Sequence, residues 1–459
     1  MRFHVITFGC QMNVGDSDWL SRSLLALGWE RVPAAEADVV VVNTCSVRKK
    51  PEEKVYSLLG RLRDMMQGRP GTFVAVGGCL AQQVGADFFG RFPHVRLVFG
   101  TDATASVPQA LARLAAEPRL RLSLLDFSEE YAPRERPDLA GGGQVVPDQA
   151  FVTIMQGCDN FCAYCIVPHV RGRQKSRAAA DVLAECREWL GAGASELTLL
   201  GQNVNSYGQD AAGDGTSFAE LLYRVAELPG LRRLRFTTSH PKDIAPEVIR
   251  AFAELPVLAP HLHLPLQSGS DRILALMGRK YDRARYLEIV AALREARPEL
   301  TLSTDLIVGF PTETEEEFGE TLSVVEEVGF ESSFFFLYND RPGVRSVKIE
   351  PKVSEAVKTR RLLELQALQD GLTEKAYAAL VGTETEIMYV GRSRVDRDAE
   401  GSALAEGLTS WAGRDAWGRV VNVAVSGDAD LTGAFARVKI EKAKKHSLTA
   451  TQLGATWSK

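Results

Sequence analysis

The sequence has no apolar run that approaches the length needed to cross a bilayer, which predicts a protein without a transmembrane helix. The apolar stretch within residues 1–10 is too short for a signal peptide. An excess of positive charge is also missing, because the net charge is −5. Any contact with nucleic acid must therefore come from local basic patches rather than from the overall field. We expect a cytoplasmic protein that binds no membrane and whose seven cysteines are reduced rather than joined in disulfides.

The chain of 459 residues is too long for one hydrophobic core, so several domains are expected. Over residues 1–125, short apolar runs alternate with amphipathic helical patterns. This alternation predicts an N-terminal doubly wound α/β domain with a parallel sheet. Residues 126–149 are rich in proline, glycine and charge, and this composition predicts a linker. The candidate strands of the first domain are residues 5–8, 39–42, 73–76 and 96–99.

Six apolar strand candidates follow between residues 150 and 380, and helical patterns fill most of the gaps between them. A repeating strand–helix unit predicts a parallel β/α barrel, complete or partial. Ligands of such a barrel bind at the carboxyl ends of its strands. The six candidates are residues 151–155, 197–200, 234–237, 261–266, 302–308 and 333–338.

Short alternating strands separated by glycines return over residues 381–445, and they predict a small C-terminal β-barrel. Basic barrels of this size often bind RNA, although a protein-binding or purely structural cap is the rival interpretation. We expect residues 446–459 to form a partly flexible tail. The strand candidates are residues 386–390, 403–405, 420–425 and 435–440, and the basic residues are Arg392, Arg394, Arg397, Arg414, Arg419, Arg437 and Lys439.

Three cysteines stand at a CxxxCxxC spacing just after the first strand candidate of the central segment, namely Cys158, Cys162 and Cys165. Thiolates are the soft ligands that iron–sulfur clusters select. Three thiolates on one loop can hold three corners of a 4Fe–4S cube, which leaves the fourth iron open to a substrate atom. The alternative is a loop that shares three buried structural cysteines. Clustered thiols in a reducing compartment favour the metal-binding interpretation.

Three further cysteines each lie just past the carboxyl end of a strand candidate of the N-terminal domain, namely Cys10, Cys45 and Cys79. The carboxyl ends of parallel strands share one edge of the sheet, so these residues are brought together. A second three-cysteine cluster follows as a hypothesis. The alternative is three independent buried cysteines, since free cysteine is among the most buried residue types. Cys186 shares a helical face with Val182, Leu183 and Leu190 and is expected in the core instead.

Polar and glycine residues end several strands of the predicted barrel, as expected of a ligand-lined opening, although turn chemistry alone would explain any one of them. Two histidines, His240 and His263, could contact substrate or be satisfied structurally. Two basic runs, residues 171–177 and 232–235, could contact phosphates or form solvated faces. The polar stretches are Gly201-Gln202-Asn203-Val204-Asn205, Thr238-Ser239-His240-Pro241, Gln267-Ser268-Gly269-Ser270, and Thr304-Asp305 with Gly309-Phe310-Pro311.

The whole chain resembles the methylthiotransferase family of radical S-adenosylmethionine (SAM) enzymes, and within it the branch that modifies N6-isopentenyladenosine in tRNA. The matching motifs span all three segments. Six strand–helix units match the incomplete (β/α)6 barrel of radical SAM enzymes, and the last segment is similar to the RNA-binding TRAM barrel. The motifs are Gly9-Cys10-Gln11-Met12-Asn13, Asn43-Thr44-Cys45-Ser46-Val47-Arg48, Gly77-Gly78-Cys79, Gln156-Gly157-Cys158 through Cys165-Ile166-Val167-Pro168, Leu199 through Gly208, Phe236 through Pro241, and Leu264 through Ser270.

The resemblance implies two 4Fe–4S clusters, one that binds SAM on Cys158, Cys162 and Cys165 and an auxiliary one on Cys10, Cys45 and Cys79. One SAM would donate a methyl group, and another would give a 5′-deoxyadenosyl radical that removes hydrogen from C2 of the adenine next to the anticodon. Methylated sulfur from the auxiliary cluster would then be inserted. The partners implied are the tRNA anticodon arm and an electron donor such as a flavodoxin or ferredoxin, with the protein a monomer. The residues expected to contact SAM are Tyr164, Gly201, Asn203, Ser268 and Asp305.

Two other functions stay open at this point. A sister enzyme would modify threonylcarbamoyl-adenosine in tRNA or an aspartate of a ribosomal protein. An RNA-binding or electron-carrying iron–sulfur protein would lack SAM chemistry, but a carrier needs no barrel. Two departures from the family pattern lie near strand ends and concern loop detail rather than the cysteines: Thr312, where glycine is usual, and Asn339-Asp340 before Arg341-Pro342-Gly343-Val344.

Overall fold

The computed structural model describes residues 1–457 except 47–48, 132–133, 135–147, 394–406 and 428. Several predicted features therefore lie outside the described residues. They are Val47 and Arg48 of the second motif, most of the linker, Arg394, Arg397 and the strand candidate 403–405. Within the described part of the chain, no helix combines the length and the apolar composition that a membrane span requires.

The N-terminal domain is one six-stranded sheet, with neighbouring strands parallel and helices on both faces. The valines of its central strand alternate between two cores. Val40 and Val42 pack with Leu59 on one face, while Val39 and Val41 pack with Leu24 on the other. The predicted doubly wound architecture is confirmed. The sheet order is β2-β1-β3-β4-β5-β6, with strands β1 (Arg2–Thr7), β2 (Glu30–Arg31), β3 (Val39–Thr44), β4 (Phe73–Gly78), β5 (Val95–Phe99) and β6 (Leu122–Leu124), and helices α1 (Gln11–Ala26), α2 (Lys49–Met66), α3 (Cys79–Val84), α4 (Asp87–Arg91) and α5 (Val107–Ala116).

The central domain has six parallel barrel strands in two three-stranded sheets, β11-β10-β7 and β12-β13-β14. Backbone hydrogen bonds between Leu234 and residues 257–259 join the two sheets. The predicted partial (β/α)6 barrel is confirmed. The strands are β7 (Gln149–Thr153), β8 (Met155–Gln156), β9 (Lys175–Ser176), β10 (Glu196–Leu200), β11 (Arg233–Thr237), β12 (His261–His263), β13 (Thr301–Val308) and β14 (Ser332–Leu337), and β8 and β9 form a separate pair. The helices are α6 (Val167–Arg171), α7 (Ala179–Gly191), α8 (Phe218–Ala226), α9 (Pro246–Glu254), α10 (Asp271–Leu276), α11 (Arg283–Ala296) and α12 (Glu315–Val328). Short 3-10 helices of this domain cover Val204–Ser206, Pro241–Asp243 and Arg345–Lys348, and one more covers Asp102–Ser106 of the N-terminal domain.

The C-terminal domain is a closed five-stranded barrel that follows the long helix α13 (Glu355–Ala378). The predicted flexible tail is wrong, because Ser447–Trp457 forms the strand that pairs with two others and closes the barrel. The strand at Leu408–Asp415 was not predicted. The strands are β15 (Glu384–Arg392), β16 (Leu408–Asp415), β17 (Val420–Ser426), β18 (Phe435–Lys444) and β19 (Ser447–Trp457), in the order β15-β16-β17-β19-β18.

The basic run 232–235 joins the C-terminal barrel to the central one. Arg235 bonds to Glu196 at 2.9 Å, and its guanidinium also donates to the backbone oxygens of residues 415 and 416 in β16 and the turn after it. Arg232 pairs with Glu386 of β15 at 3.0 Å, and Arg233 is buried between Glu196 and Glu386. The interpretation of this run as a phosphate-binding patch is therefore wrong for Arg233 and Arg235.

The basic run 171–177 likewise points mostly inward. Lys175 is buried and bonds to Asp102 of the N-terminal domain at 2.6 Å. Arg177 pairs with Glu185 at 2.6 Å inside the central domain. Of the basic side chains in this run, Arg173 is the exposed one, and it pairs with Asp159 at 2.7 Å. The run as a whole is therefore neither a phosphate-contacting patch nor a solvated face, the two roles predicted for it.

Candidate active site

The central cysteine trio lies on the loop between β8 and α6. The loop closes on itself through hydrogen bonds from the Cys165 N–H to the Cys162 oxygen at 3.1 Å and from the Cys158 N–H to the Gly172 oxygen at 3.4 Å. Gly157 has φ +77°, and a Cβ there would lie 2.0 Å from the Arg173 oxygen. A larger residue could not enter the loop at this tight turn. The sequence therefore folds the three thiols onto one short, fixed segment.

The three thiols of this loop perturb one another. Burial, together with the neighbouring thiols of Cys162 and Cys158, raises the pKa of Cys165 to about 12. Burial likewise raises the pKa of Cys158, with Cys162 adding to the effect. Buried thiols of this kind ionise when a metal compensates their charge. The donor set and its burial therefore fit an iron–sulfur cluster.

A buried arginine contacts this trio. The Arg279 Nη1 lies 3.5 Å from the Cys162 sulfur, and its Nε donates to the Tyr281 hydroxyl at 2.9 Å. Burial alone would lower the pKa of Arg279, but Tyr281, Tyr164 and Cys162 raise it well above its usual value. Sequence reasoning did not single out Arg279, because it lies more than 100 residues from the loop that it contacts.

The N-terminal cysteine trio forms at the carboxyl edge of the sheet, as predicted from the strand ends. Cys10, Cys45 and Cys79 follow β1, β3 and β4. A Cβ at Gly9 would lie 2.7 Å from the Cys45 Cβ, so Cys45 packs directly beside the backbone that carries Cys10. Burial raises the pKa of Cys79, and the thiol of Cys10 is close enough to raise it as well. The edge of the sheet thus brings the three thiols into one neighbourhood.

Helix α6 links the surroundings of the two trios. Cys79 packs in one apolar cluster with Ile166, Val170 and Val344 of the central domain. Ile166 directly follows Cys165 in the chain. The helix that continues the central cysteine loop is therefore the element that covers the N-terminal trio.

No group of three or more His, Cys, Asp or Glu side chains in the described ranges is arranged to hold a single metal ion. A 4Fe–4S cube makes a different demand, because each thiolate binds its own iron at a separate corner. The assignment of the six cysteines as cluster ligands therefore stays a prediction, supported by the proximity of the thiols within each trio. Cys45 and Cys79 are buried, the central three are partly buried and Cys10 is exposed.

Polar atoms without partners gather at the carboxyl ends of β10 and β11. Among the described residues, the buried Asn203 Oδ1, Asn205 Nδ2 and Ser239 Oγ have no hydrogen-bond partner. The Asn203 amide nitrogen is held by Asp243 at 2.7 Å, and Asp243 also accepts from Asn160 of the cysteine loop at 3.2 Å. Buried polar atoms rarely stay unpaired without a ligand or water. This edge of the barrel, beside the cysteine loop, fits a polar cofactor such as SAM.

The other residues predicted to contact SAM divide into two groups. Tyr164 lies beside Cys162, Cys165 and Arg279, and Gly201 packs against Met155 so closely that a Cβ would lie 2.6 Å from the Met155 Cγ. Ser268 is instead fully buried, and its hydroxyl lies 3.4 Å from that of Thr321 in α12. The structure does not bring Ser268 to the opening, because its side chain contacts that helix from the loop between β12 and α10.

Asp305 heads a chain of polar side chains along the inner face of the barrel. Its carboxylate lies 3.5 Å from the His263 Nε2, and the His263 Nδ1 lies 3.0 Å from the Ser303 hydroxyl. That hydroxyl also lies 3.0 Å from the His261 Nε2. Phe334, the register partner of Asp305 on β14, is 51% exposed and lies edge-on to His263, with ring centroids 5.9 Å apart. The interior therefore offers a carboxylate, an imidazole and an open aromatic face side by side.

His240, the second histidine of interest, is buried and packs edge-on against Tyr281. Burial, together with the positive charges of Arg279, Lys242 and Lys280, lowers its pKa to about 2. The folded protein thus keeps His240 neutral, whereas the unfolded chain takes up a proton near pH 6.5. Its contribution to stability is fully present above pH 6.5 and is lost as the pH falls below that value, by about 1.4 kcal/mol per pH unit.

We therefore predict that the His240→Asn variant loses part of this acid sensitivity. The unfolding midpoint of the metal-free protein should fall less between pH 6.5 and pH 5 in the variant than in the parent. Replacement of the exposed His446 by Asn is the control and should keep the parental slope. Equal slopes in parent and H240N would contradict the prediction. Thermal or urea unfolding followed by circular dichroism measures both.

Comparison with known proteins agrees with this division of the chain. The Radical SAM superfamily model matches residues 152–325, and a family described as Uncharacterized protein family UPF0004 matches residues 2–100. A tRNA-2-methylthio-N(6)-dimethylallyladenosine synthase of Nitratidesulfovibrio vulgaris is 59% identical over 455 residues, which cover 99% of each chain. Proteins with the same name from Oleidesulfovibrio alaskensis and Myxococcus xanthus are 55% and 45% identical, covering 98% of this chain in both cases and 98% and 94% of theirs.

Solved structures show the fold at greater distance. The radical SAM methyltransferase TsrM of Kitasatospora setae, with tryptophan and a SAM analogue bound, aligns with a TM-score of 0.56 at 14% identity, covering 82% of this chain and 90% of its own. The cobalamin-dependent radical SAM enzyme OxsB aligns with a TM-score of 0.52 at 12% identity, covering 80% and 56%. At these identities the likeness concerns the fold alone.

Proposed function

The chain belongs to the family of tRNA-2-methylthio-N(6)-dimethylallyladenosine synthases within the radical SAM superfamily, and from this membership we propose that it methylthiolates C2 of N6-isopentenyladenosine next to the anticodon of tRNA. Isopentenyl and dimethylallyl are two names for the same substituent. The observation that carries the proposal is the pair of cysteine trios that helix α6 links. A sister enzyme with another acceptor would share these trios, so the choice of acceptor rests on the family.

Cys158, Cys162 and Cys165 would hold the cluster that binds SAM, and Cys10, Cys45 and Cys79 would hold the auxiliary cluster. With both clusters bound, the chemistry supplied would be reductive cleavage of one SAM to a radical that removes hydrogen from C2, methyl transfer from a second SAM, and donation of the methylated sulfur to C2. No acid–base side chain could activate such an unreactive C–H bond. The protein's own part is to bind, orient and exclude water.

The unpaired atoms of Asn203, Asn205 and Ser239 would face the SAM that Tyr164 and Gly201 flank. Asp305 and His263 lie deeper along the inner face of the barrel, with Phe334 beside them. An adenine ring extruded from the tRNA could stack on Phe334 and present its polar edge to this pair. The C-terminal barrel would contribute to RNA binding, as such small barrels do.

The substrate role of Phe334 leads to a specific prediction. Stacking of a base on an aromatic side chain contributes about 1–3 kcal/mol, so Phe334→Ala should lower kcat/KM for isopentenylated tRNA about 10- to 100-fold. Cleavage of SAM in the absence of tRNA should be unchanged. Leu363→Ala is the matched control, since Leu363 is an exposed apolar residue on α13. An F334A variant with the parental kcat/KM would remove Phe334 from the substrate site.

The experiment that tests the function is nucleoside analysis of tRNA. The purified, reconstituted enzyme is given SAM, a reductant and tRNA from a strain that lacks the gene for this protein. It should convert N6-isopentenyladenosine to its 2-methylthio derivative, which mass spectrometry detects. Conversion of threonylcarbamoyl-adenosine instead would favour the sister function. Absence of 5′-deoxyadenosine would favour a protein without SAM chemistry.

We propose tRNA as the macromolecular partner, a flavodoxin or ferredoxin as the electron donor, and a monomer as the working state. A cytoplasmic location follows from the tRNA substrate.

A further inference from the structure

Arg171, the last residue of α6, is the buried cation beside the N-terminal cysteine trio. Its side chain is only 4% exposed, although an unpaired guanidinium is very costly to bury. It donates to the Asn13 Oδ1 at 3.2 Å, and its charge favours the thiolate form of Cys79. The Cys10 sulfur in turn lies 3.4 Å from the same Asn13 oxygen. Arg171 is therefore linked to one thiol through a single amide and acts on a second through its charge.

The neighbouring charges leave Arg171 without a carboxylate of its own. Arg134 holds Asp16 at 2.8 Å, whereas Arg171 lies 3.9 Å from the other oxygen of that carboxylate. Glu185, the next acidic group in this region, is bound by Arg177 at 2.6 Å. Burial alone would lower the pKa of Arg171, but the thiols of Cys79 and Cys10 and the carboxylate of Asp16 raise it. The site thus holds a positive charge that matches an anion on the cysteine trio.

We propose that Arg171 is a positioning residue of the auxiliary cluster, which it supports through the Asn13 amide beside Cys10 and whose negative charge it offsets. The inference rests on the proposed function, because it requires a cluster on Cys10, Cys45 and Cys79. A cube with three thiolates is anionic and becomes more so on reduction, so a buried cation beside it stabilises the reduced form and raises the reduction potential. Since α6 also continues the loop of Cys165, Arg171 ties the auxiliary cluster to the element that carries the SAM cluster.

The test isolates the auxiliary cluster in the full chain by replacing Cys158, Cys162 and Cys165 with Ala and reconstituting with iron and sulfide. Arg171→Met is then introduced, with Arg171→Lys as the conservative variant. Arg187→Met, an exposed arginine on α7, is the control for loss of charge alone. Iron per chain and a redox titration followed by electron paramagnetic resonance are measured for each variant.

At a fixed solution potential, the ratio of reduced to oxidised cluster should fall about tenfold in R171M. This corresponds to a midpoint reduction potential about 59 mV lower. The midpoint potential should shift less in R171K, and R187M should have the same potential as the chain that carries the three cysteine replacements alone. If R171M instead loses iron, R171K should retain it. Unchanged potential and iron in R171M, or equal loss of iron in R171M and R171K, would overturn the inference and leave the function standing. A background chain that binds no iron would overturn the auxiliary cluster itself, and the inference with it.

Discussion

Replacement of Cys10, Cys45 and Cys79 by Ala is expected to halve the iron content, leave SAM cleavage measurable and reduce the methylthiolated nucleoside to background. The reason is the division of the chain into two folds. Each trio belongs to a separate domain with its own core, so removal of one set of ligands leaves the other intact. Iron analysis, 5′-deoxyadenosine by chromatography and nucleoside mass spectrometry report the three quantities on one sample.

The complementary variant makes this result specific. Replacement of Cys158, Cys162 and Cys165 should also halve the iron, but it should abolish 5′-deoxyadenosine as well as the product. Cys186→Ala serves as the control, because this cysteine is buried among the apolar residues of α7 and should leave iron and product unchanged. Equal iron in the parent and the N-terminal triple variant would reject the auxiliary site. Loss of SAM cleavage in that variant would show that the two sites do not act separately.

The strand ends of the sheet and barrel could be predicted because they depend on local pattern. The valines of 39–42 form a run that fits a strand buried on both faces, and Cys45 follows directly after it. Parallel topology then places such residues at one edge without knowledge of any contact. The same reasoning placed Asn203 just past the end of β10, where the structure has it, whereas Asp305 lies within β13 on the inner face of the barrel.

The long-range pairing of charges could not be predicted. Lys175 meets Asp102 across 73 residues, and Arg171 meets Asn13 across 158, so the local sequence shows only a basic run. A basic run is equally compatible with solvent and with burial beside distant acids. The side chain of Ser268 was misplaced for a related reason, since its partner Thr321 lies on a helix 53 residues away.

The last strand was missed because its evidence is also non-local. Residues 442–446 are mostly charged, which favours a flexible tail when they are considered alone. In the structure they end β18 and form the turn that leads to β19. Strand β19 pairs antiparallel with β18 and parallel with β17. Closure removes the exposed edges that a four-stranded sheet would present.

Arg419→Met is expected to be the most damaging single substitution for the attachment of the C-terminal barrel. The Arg419 guanidinium donates two hydrogen bonds, at 3.0 and 2.6 Å, to the carboxylate of Glu331 in the central domain. It also lies 3.3 Å from Asp415. All three side chains are at least nine-tenths buried. Removal of the cation leaves two carboxylates buried together, and breaking such a pair costs about 3–5 kcal/mol. The loss should be smaller at low pH, where Asp415, whose pKa burial raises, takes up a proton.

Arg437→Met is the matched control in the same barrel. Its partner is Glu384 at 2.5 Å, but both side chains are largely exposed, so the pair should contribute only about 0–1 kcal/mol. Limited proteolysis should release the C-terminal barrel from R419M after α13, and urea should unfold R419M at a lower concentration than R437M. Replacing Glu331 by Leu together with Arg419→Met should recover the part of the loss that Glu331 causes, because only the Asp415 carboxylate then stays buried without the guanidinium. If R419M and R437M resist protease and urea equally, the barrel is attached by its apolar and backbone contacts instead, and the arginine of this interface fixes its orientation rather than its stability.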